Sequence, residues 1–91
     1  MLEFIISKHA KERMEQRNII SPNSRMFVDV NKRLKTRLKK LCPKEKYNPN
    51  CVYFITKNGD CYVCIPEDIA KYTVITAFNM DKSWLELNKE L

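Results

Sequence analysis

The feature that most constrains the fold of this chain is the dipeptide Asn58-Gly59, which contains the only glycine among its 91 residues. It lies between two runs rich in β-branched and aromatic residues, 51–56 and 61–65. Asn-Gly between such runs is the strongest short-range signal for a β-hairpin, because both residues tolerate the positive φ angles of a tight turn. The sequence therefore predicts an antiparallel hairpin in the second half of the chain.

The first half of the chain has helical patterns instead. Ser7 is a suitable N-cap for a helix over residues 8–17, and its cap is a single bond because Ala10 stands where a capping box has Glu. A turn at 21–24 then precedes a second, longer helix that ends at Cys42-Pro43. Its apolar residues follow one another at steps of three and four, which is a helical stripe: Phe27, Val30, Leu34, Leu38 and Leu41.

These segments together predict an α+β fold. Residues 73–78 form a third β-like run, residues 2–6 are either an edge strand or a lead-in to the first helix, and residues 83–87 begin a short C-terminal helix. We expect two N-terminal helices packed on an antiparallel β-meander of three to four strands, followed by that short helix. A chain of 91 residues is one domain, here 1–91.

The net charge of +6 is concentrated in one segment. Residues 31–46 contain eight basic side chains against Glu45 alone: Lys32, Arg33, Lys35, Arg37, Lys39, Lys40, Lys44 and Lys46. A one-sided basic segment is typical of proteins that bind a polyanion, whereas the plainer interpretation is a solvated helix face. We expect contact with RNA or another nucleic acid through these residues.

Cysteine usage and hydropathy indicate the compartment. The sequence has no secretory signal and no apolar run near the ~20 residues of a membrane helix, so we expect a soluble, cytoplasmic protein with no membrane partner. The four cysteines are then buried thiols rather than disulfides. Only Cys61 and Cys64 have zinc-knuckle spacing, and side chains at i and i+3 of a strand point to opposite faces. We therefore predict no metal site and no cofactor.

The first predicted helix carries a polar edge with the ingredients of phosphate chemistry. At 100° per residue, Arg13 lies about 40° and Arg17 about 80° from His9, beside the apolar positions Ala10 and Met14. Histidine can give and take a proton near neutral pH, and arginine can hold a phosphate as charge grows on it. A lone histidine on a helix is more often a surface or capping residue, so the pattern alone is a weak indication of catalysis.

The segment Ser7-x-His9-Ala10-x-x-Arg13-Met14-x-x-Arg17-x-Ile19 resembles the opening of a family of small bacterial and phage domains. That family is grouped with ribonucleases of the barnase, EndoU, colicin and RelE type of fold. Similar members end on a strand that carries a threonine, which here is Thr76. The resemblance spans roughly residues 4–80 and implies metal-independent RNA cleavage, often by a toxin or an effector.

The resemblance assigns a role to each matching residue. His9 would be the general acid or base, and Arg13 would hold the scissile phosphate with its planar guanidinium. Thr76 would donate a hydrogen bond to the phosphate or position His9. Arg17 would be a second phosphate contact or the partner of a core carboxylate. This sequence has no second histidine, so water, a lysine or a tyrosine would handle the other proton.

Three functions remain as alternatives. The first is an endoribonuclease-like toxin or effector, in which the RNA 2′-hydroxyl attacks the phosphate, and an acidic antitoxin, immunity or host protein is a natural partner. The second is a non-catalytic phage or mobile-element protein that binds nucleic acid, or inhibits a host nucleic-acid or defence enzyme, through the basic segment. The third is a protein that acts by pairing with another protein through the apolar C-terminal residues Trp84, Leu85 and Leu87.

Overall fold

The computed structural model of the protein describes residues 2–24, 26–30, 48 and 50–80. Its elements follow one another along the chain as strand β1 (Glu3–Ile6), helix α1 (Lys8–Gln16), strand β2 (Phe27–Val30), strand β3 (Val52–Thr56), strand β4 (Asp60–Asp68) and strand β5 (Lys71–Asn79). A single 3₁₀ turn, Pro22–Ser24, lies between α1 and β2. The described part of the chain is therefore mostly β-sheet with one short helix.

The predicted fold class is wrong, because the described residues do not show two N-terminal helices packed on a sheet. The start of the predicted second helix, Phe27–Val30, is instead a strand that pairs antiparallel with β3. This segment is β-branched and aromatic, and its apolar residues satisfy strand pairing as well as a helical stripe. The rest of that predicted helix, and the predicted C-terminal helix at 83–87, lie outside the described residues.

The five strands form one mixed sheet in the order β1-β5-β4-β3-β2. Neighbours are antiparallel, as in the predicted meander, except that β1 joins β5 in parallel. The parallel pair is bounded by two backbone hydrogen bonds, from Glu3 N to Ala70 O at 2.8 Å and from Ser7 N to Val74 O at 3.1 Å. Strand β1 is therefore an edge strand of the sheet, and its neighbour β5 is the last strand along the described part of the chain.

The two faces of the sheet carry separate apolar clusters. The face that packs against α1, hereafter the helix face, is formed by Phe4, Phe54, Tyr62, Cys64, Val74 and Ala77. The opposite face, hereafter the far face, is formed by Tyr53, Ile55, Cys61, Val63 and Phe78. Residues paired directly across neighbouring strands point to the same side of a sheet. The register therefore assigns each strand residue to one of these faces.

Helix α1 is fixed at both ends by its own sequence. Ser7 Oγ accepts a hydrogen bond from Ala10 N at 3.1 Å, which confirms the predicted N-cap. At the other end Asn18 has a left-handed φ of 55°, and Ile19 N donates to Met14 O at 2.9 Å. Asn tolerates that conformation better than most residues, so it closes the helix as glycine often does. The chain then turns Ile19 into the helix-face cluster.

The predicted hairpin is confirmed, with a turn one residue longer than a two-residue Asn-Gly loop. Gly59 N donates to Thr56 O at 3.0 Å, and Gly59 itself has a φ of 87°. Asn58 does not have a positive φ, so this is a tight turn followed by a left-handed glycine, the usual form of a three-residue hairpin loop. Glycine supplies the left-handed position without a steric cost.

The predicted burial of the cysteines is confirmed for Cys51, Cys61 and Cys64, while Cys42 lies outside the described residues. Cys61 lies on the far face and Cys64 on the helix face, so the two do not converge on one point. Burial raises the pKa of the Cys64 thiol to about 12, with a further contribution from Cys51, whose own pKa is also raised by burial. No helix in the described ranges is both long and apolar enough to cross a membrane.

We expect Cys61 and Cys64 to resist a thiol-specific alkylating reagent in the folded protein and to react fully in denaturant. The thiolate is the reactive species, and both side chains have no exposed surface. Pulse alkylation followed by peptide mapping measures each residue separately. Equal labelling of Cys64 before and after unfolding would show that the helix-face cluster is open to solvent.

The raised pKa of Cys64 also predicts a loss of stability in alkali. Above the ordinary thiol pKa of 9.0, the unfolded chain loses the Cys64 proton while the folded chain keeps it up to about pH 12. The free energy of unfolding therefore declines as pH rises through that interval. Denaturant titrations of the parent and of Cys64→Ala measure the decline, which the variant lacks for this residue.

Candidate functional site

His9 and Arg13 lie one turn apart on the same edge of α1. The N-cap at Ser7 fixes the first turn, and the burial of Ala10 and Met14 against the sheet fixes the rotation of the helix about its axis. His9 is consequently exposed to solvent, and Arg13 is half-buried beside the packed side of the helix. The structure thus confirms that these two side chains share an edge next to the core.

The two side chains contact each other directly. Arg13 Nε donates to His9 Nε2 over 3.5 Å, a long contact that is weaker than an ordinary hydrogen bond. The same guanidinium donates from Nη1 to Gln16 Oε1 over 3.2 Å. Among the described residues, neither His9 nor Arg13 is paired with a carboxylate. A phosphate oxygen can therefore compete for this guanidinium without first breaking an ion pair.

Gln16 also lies on this edge and contacts Arg13, a contact that was not predicted from the sequence. Gln16 is the third residue after Arg13, so the two side chains are neighbours on the helix surface. Its amide oxygen holds one side of the guanidinium and leaves its remaining N–H groups for another acceptor. The i,i+3 spacing of Arg13 and Gln16 was the signal in the sequence from which this contact could have been predicted.

Arg17 has a different role from His9 and Arg13. It is the C-cap residue of α1, and its Nη1 donates to Ala77 O of β5 at 2.7 Å. This contact is to a backbone carbonyl, and the predicted role of Arg17 as a second phosphate contact or the partner of a core carboxylate stays a prediction. The short distance and charged donor make it a strong hydrogen bond. Arg17 therefore ties the end of α1 to the sheet.

Thr76 is not brought together with His9. It pairs with Val63, which belongs to the far-face cluster, whereas α1 covers the helix face. The register shifts by one residue between Val63 and Cys64, which pairs with Val74, so β5 contains a bulge at Ile75. The bulge leaves Thr76 on the side of the sheet that faces away from α1.

The predicted nucleic-acid-binding residues, Lys32 to Lys46, lie outside the described residues. The described ranges themselves contain six Lys and Arg side chains and seven Asp and Glu side chains, so the net positive charge of the chain comes from residues outside these ranges. Within the same ranges, no group of three or more His, Cys, Asp or Glu side chains is placed to hold a metal ion.

A second polar cluster lies at the hairpin turn, away from the predicted site. Asn79 Nδ2 donates to Asp60 Oδ1 at 2.6 Å and to Asn58 O at 3.3 Å. Asp60 N donates to Thr56 Oγ1 at 3.1 Å. These contacts connect the end of β5 to both sides of the turn, and they give the buried Asp60 a structural partner.

Comparison with protein-family models, curated proteins and solved structures gave no match for this chain.

We expect Arg17→Met to lower the free energy of unfolding by about 1–2 kcal/mol, because it removes a charged hydrogen bond to β5. Arg13→Met is the matched control. It removes the same charge from the same helix but no contact to the sheet, so its effect should lie within about 0.5 kcal/mol. Denaturant unfolding of the two variants measures the difference. Equal losses would mean that Arg17 does not anchor the helix.

Proposed function

We propose that this protein acts on RNA, with His9 and Arg13 of α1 as the groups that meet the scissile phosphate. The observation that carries the proposal is the exposed contact between Arg13 Nε and His9 Nε2, which places a guanidinium and an imidazole within reach of one ligand. Both side chains project from a helix whose ends are capped, so they are held on a rigid element.

In the proposed reaction the 2′-oxygen of RNA forms a bond to the adjacent phosphorus, and the bond from phosphorus to the 5′-oxygen breaks. His9 Nε2 takes the proton of the 2′-hydroxyl, and water supplies the proton that the departing 5′-oxygen needs. Arg13 donates to the non-bridging phosphate oxygens as their charge grows. The products are a 2′,3′-cyclic phosphate and a 5′-hydroxyl, and the reaction uses no metal.

The observed contacts of Arg13 indicate how it changes partners in the proposed reaction. Arg13 turns from His9 toward the phosphate, which frees Nε2 to accept a proton, and the weak 3.5 Å contact makes this exchange easy. Gln16 keeps hold of the other side of the guanidinium, so Arg13 moves little. Thr76 has no part in this mechanism, because it lies on the far face.

The biological setting is part of the same proposal. A cytoplasmic ribonuclease of this kind would damage the RNA of the cell unless an inhibitor bound it. An acidic antitoxin, immunity or host protein is complementary in charge to a chain with a net charge of +6. We therefore propose a toxin or effector rather than a general RNA-degrading enzyme.

The test is cleavage of RNA in the presence of a chelator. Loss of a general base costs about 10²–10⁴-fold in rate, so His9→Ala should lower the rate by that factor while the fold survives. Arg13→Lys should retain part of the activity, because lysine keeps the charge but not the planar donor pair. Product analysis should find the 2′,3′-cyclic phosphate.

Two control variants sharpen this test. Lys11→Gln removes one positive charge from the exposed opposite flank of α1 and should leave the rate within a few-fold of the parent. Thr76→Val keeps the shape of a far-face residue and should also leave it unchanged. Equal cleavage rates of the parent and His9→Ala would contradict the proposed mechanism.

A second candidate function is non-catalytic binding of nucleic acid, or inhibition of a host nucleic-acid or defence enzyme, through the basic segment 31–46. One observation that supports this candidate is the position of Thr76, which lies on the far face of the sheet, away from α1. On this alternative the residues of α1 are surface side chains, and affinity comes from the cations of the basic segment.

Salt dependence of binding distinguishes the two functions. For single-stranded RNA the slope of log affinity against log salt is about −0.7 per phosphate neutralised. Binding through the basic segment gives a slope several times that value, and charge reversal at Lys35, Lys39 and Lys40 abolishes it. A steep slope with no effect of His9→Ala on any RNA readout would favour the non-catalytic function.

A further inference from the structure

The hairpin turn contains a reactive pair of residues that the proposed function does not use. Asn58 is exposed at the turn, and it is followed by Gly59, which has no side chain of its own to hinder attack by its backbone nitrogen. In such a pair the backbone nitrogen of the glycine can attack Cγ of the asparagine. A C–N bond forms, ammonia leaves and a succinimide ring results, and water then opens the ring to aspartate or isoaspartate.

The folded hairpin opposes the first step of this reaction. Gly59 N donates to Thr56 O at 3.0 Å, so the attacking nitrogen has to give up a hydrogen bond before it can lose its proton. The nitrogen must also rotate toward the side chain of Asn58, about the bond between its Cα and carbonyl carbon. The turn restrains that rotation, because the peptide unit between Asn58 and Gly59 is held by the hydrogen bond from Gly59 N to Thr56 O.

Contacts with the end of β5 hold the same peptide units from outside the turn. Asn79 Nδ2 donates to Asn58 O at 3.3 Å, and Met80 N donates to Gly59 O at 2.8 Å. The carbonyls on both sides of the Gly59 nitrogen are thus bonded to a neighbouring strand end. These contacts therefore oppose the approach of Gly59 N to Cγ of Asn58.

We infer that Asn58 is a site of deamidation and that the native hairpin protects it from this reaction. Deamidation to aspartate or isoaspartate takes place from the opened turn, and its rate in the folded protein reports the fraction of molecules in which the turn is open. Asn79 is a positioning residue for the closed state. The inference does not depend on any activity toward RNA.

The product changes the turn in a way that prevents closure. Isoaspartate lengthens the backbone by one carbon, so the 56–59 hydrogen bond no longer has its native span. It also adds a carboxylate next to the buried Asp60, whose bond to Asn79 Nδ2 is 2.6 Å long. Two negative groups at one turn repel each other, and the modified hairpin stays looser than the native one.

Peptide mapping of the purified protein, aged at mildly alkaline pH, tests the inference. We expect modification at residue 58 to be at least tenfold slower in the folded parent than in the parent unfolded by denaturant. Asn23, which precedes Ser24 outside the hairpin, is an internal reference within each sample. Equal rates at residue 58 in the folded and unfolded parent would overturn the inference without the use of any variant.

Asn79→Ala tests the proposed positioning residue. We expect this variant, confirmed as folded by circular dichroism, to modify several-fold faster than the parent under native conditions and at the same rate in denaturant. Asn58→Asp is the control that starts in the product state and gains no further mass. An unchanged native rate in a folded Asn79→Ala protein would contradict the assignment of Asn79.

Discussion

The parallel pairing of β1 with β5 is the interaction on which the rest of the described structure depends. Ser7 connects this pairing to the helix, because its backbone N–H donates to Val74 O at the end of the ladder while its hydroxyl caps Ala10 N. The helix therefore starts at a fixed point above β5 and cannot slide along it. The second attachment, from Arg17 to Ala77 O, fixes where it ends.

These two attachments determine which groups are available for function. With both ends of α1 tied to β5, the burial of Ala10 and Met14 leaves the edge with His9 and Arg13 open to solvent. Arg17, at the end of the helix, donates a hydrogen bond to the backbone of β5. It therefore differs from His9 and Arg13, although the three residues lie close together on the helical wheel.

Local signals in the sequence predicted the parts of the structure that depend on local interactions. The Ser7 cap, the Asn58-Gly59 hairpin and the opposite facing of Cys61 and Cys64 each follow from residues a few positions apart, and each is observed. The candidate pair His9 and Arg13 belongs to the same class, because i,i+4 neighbours are set by the helix alone.

The errors arose where distant parts of the chain decide the structure. Phe27 packs against Phe54 with ring centroids 5.2 Å apart, and against Phe4 at 5.6 Å. Such contacts form only when Phe27 lies on a strand beside β3, and its sequence neighbours do not encode that partner. The bulge at Ile75 is equally invisible in the sequence, yet it decides the face on which Thr76 lies.

In the proposed mechanism, the far-face position of Thr76 leaves the phosphate without one of the predicted hydrogen-bond donors. Transesterification requires two proton transfers and the neutralisation of a growing charge, while α1 supplies one imidazole and one guanidinium. In that mechanism the basic segment 31–46 is a further source of positive charge for the phosphate. Positioning of the RNA by that segment would then matter as much as the proton transfer at His9, because chemistry by two groups is efficient only on a phosphate that is already held in place.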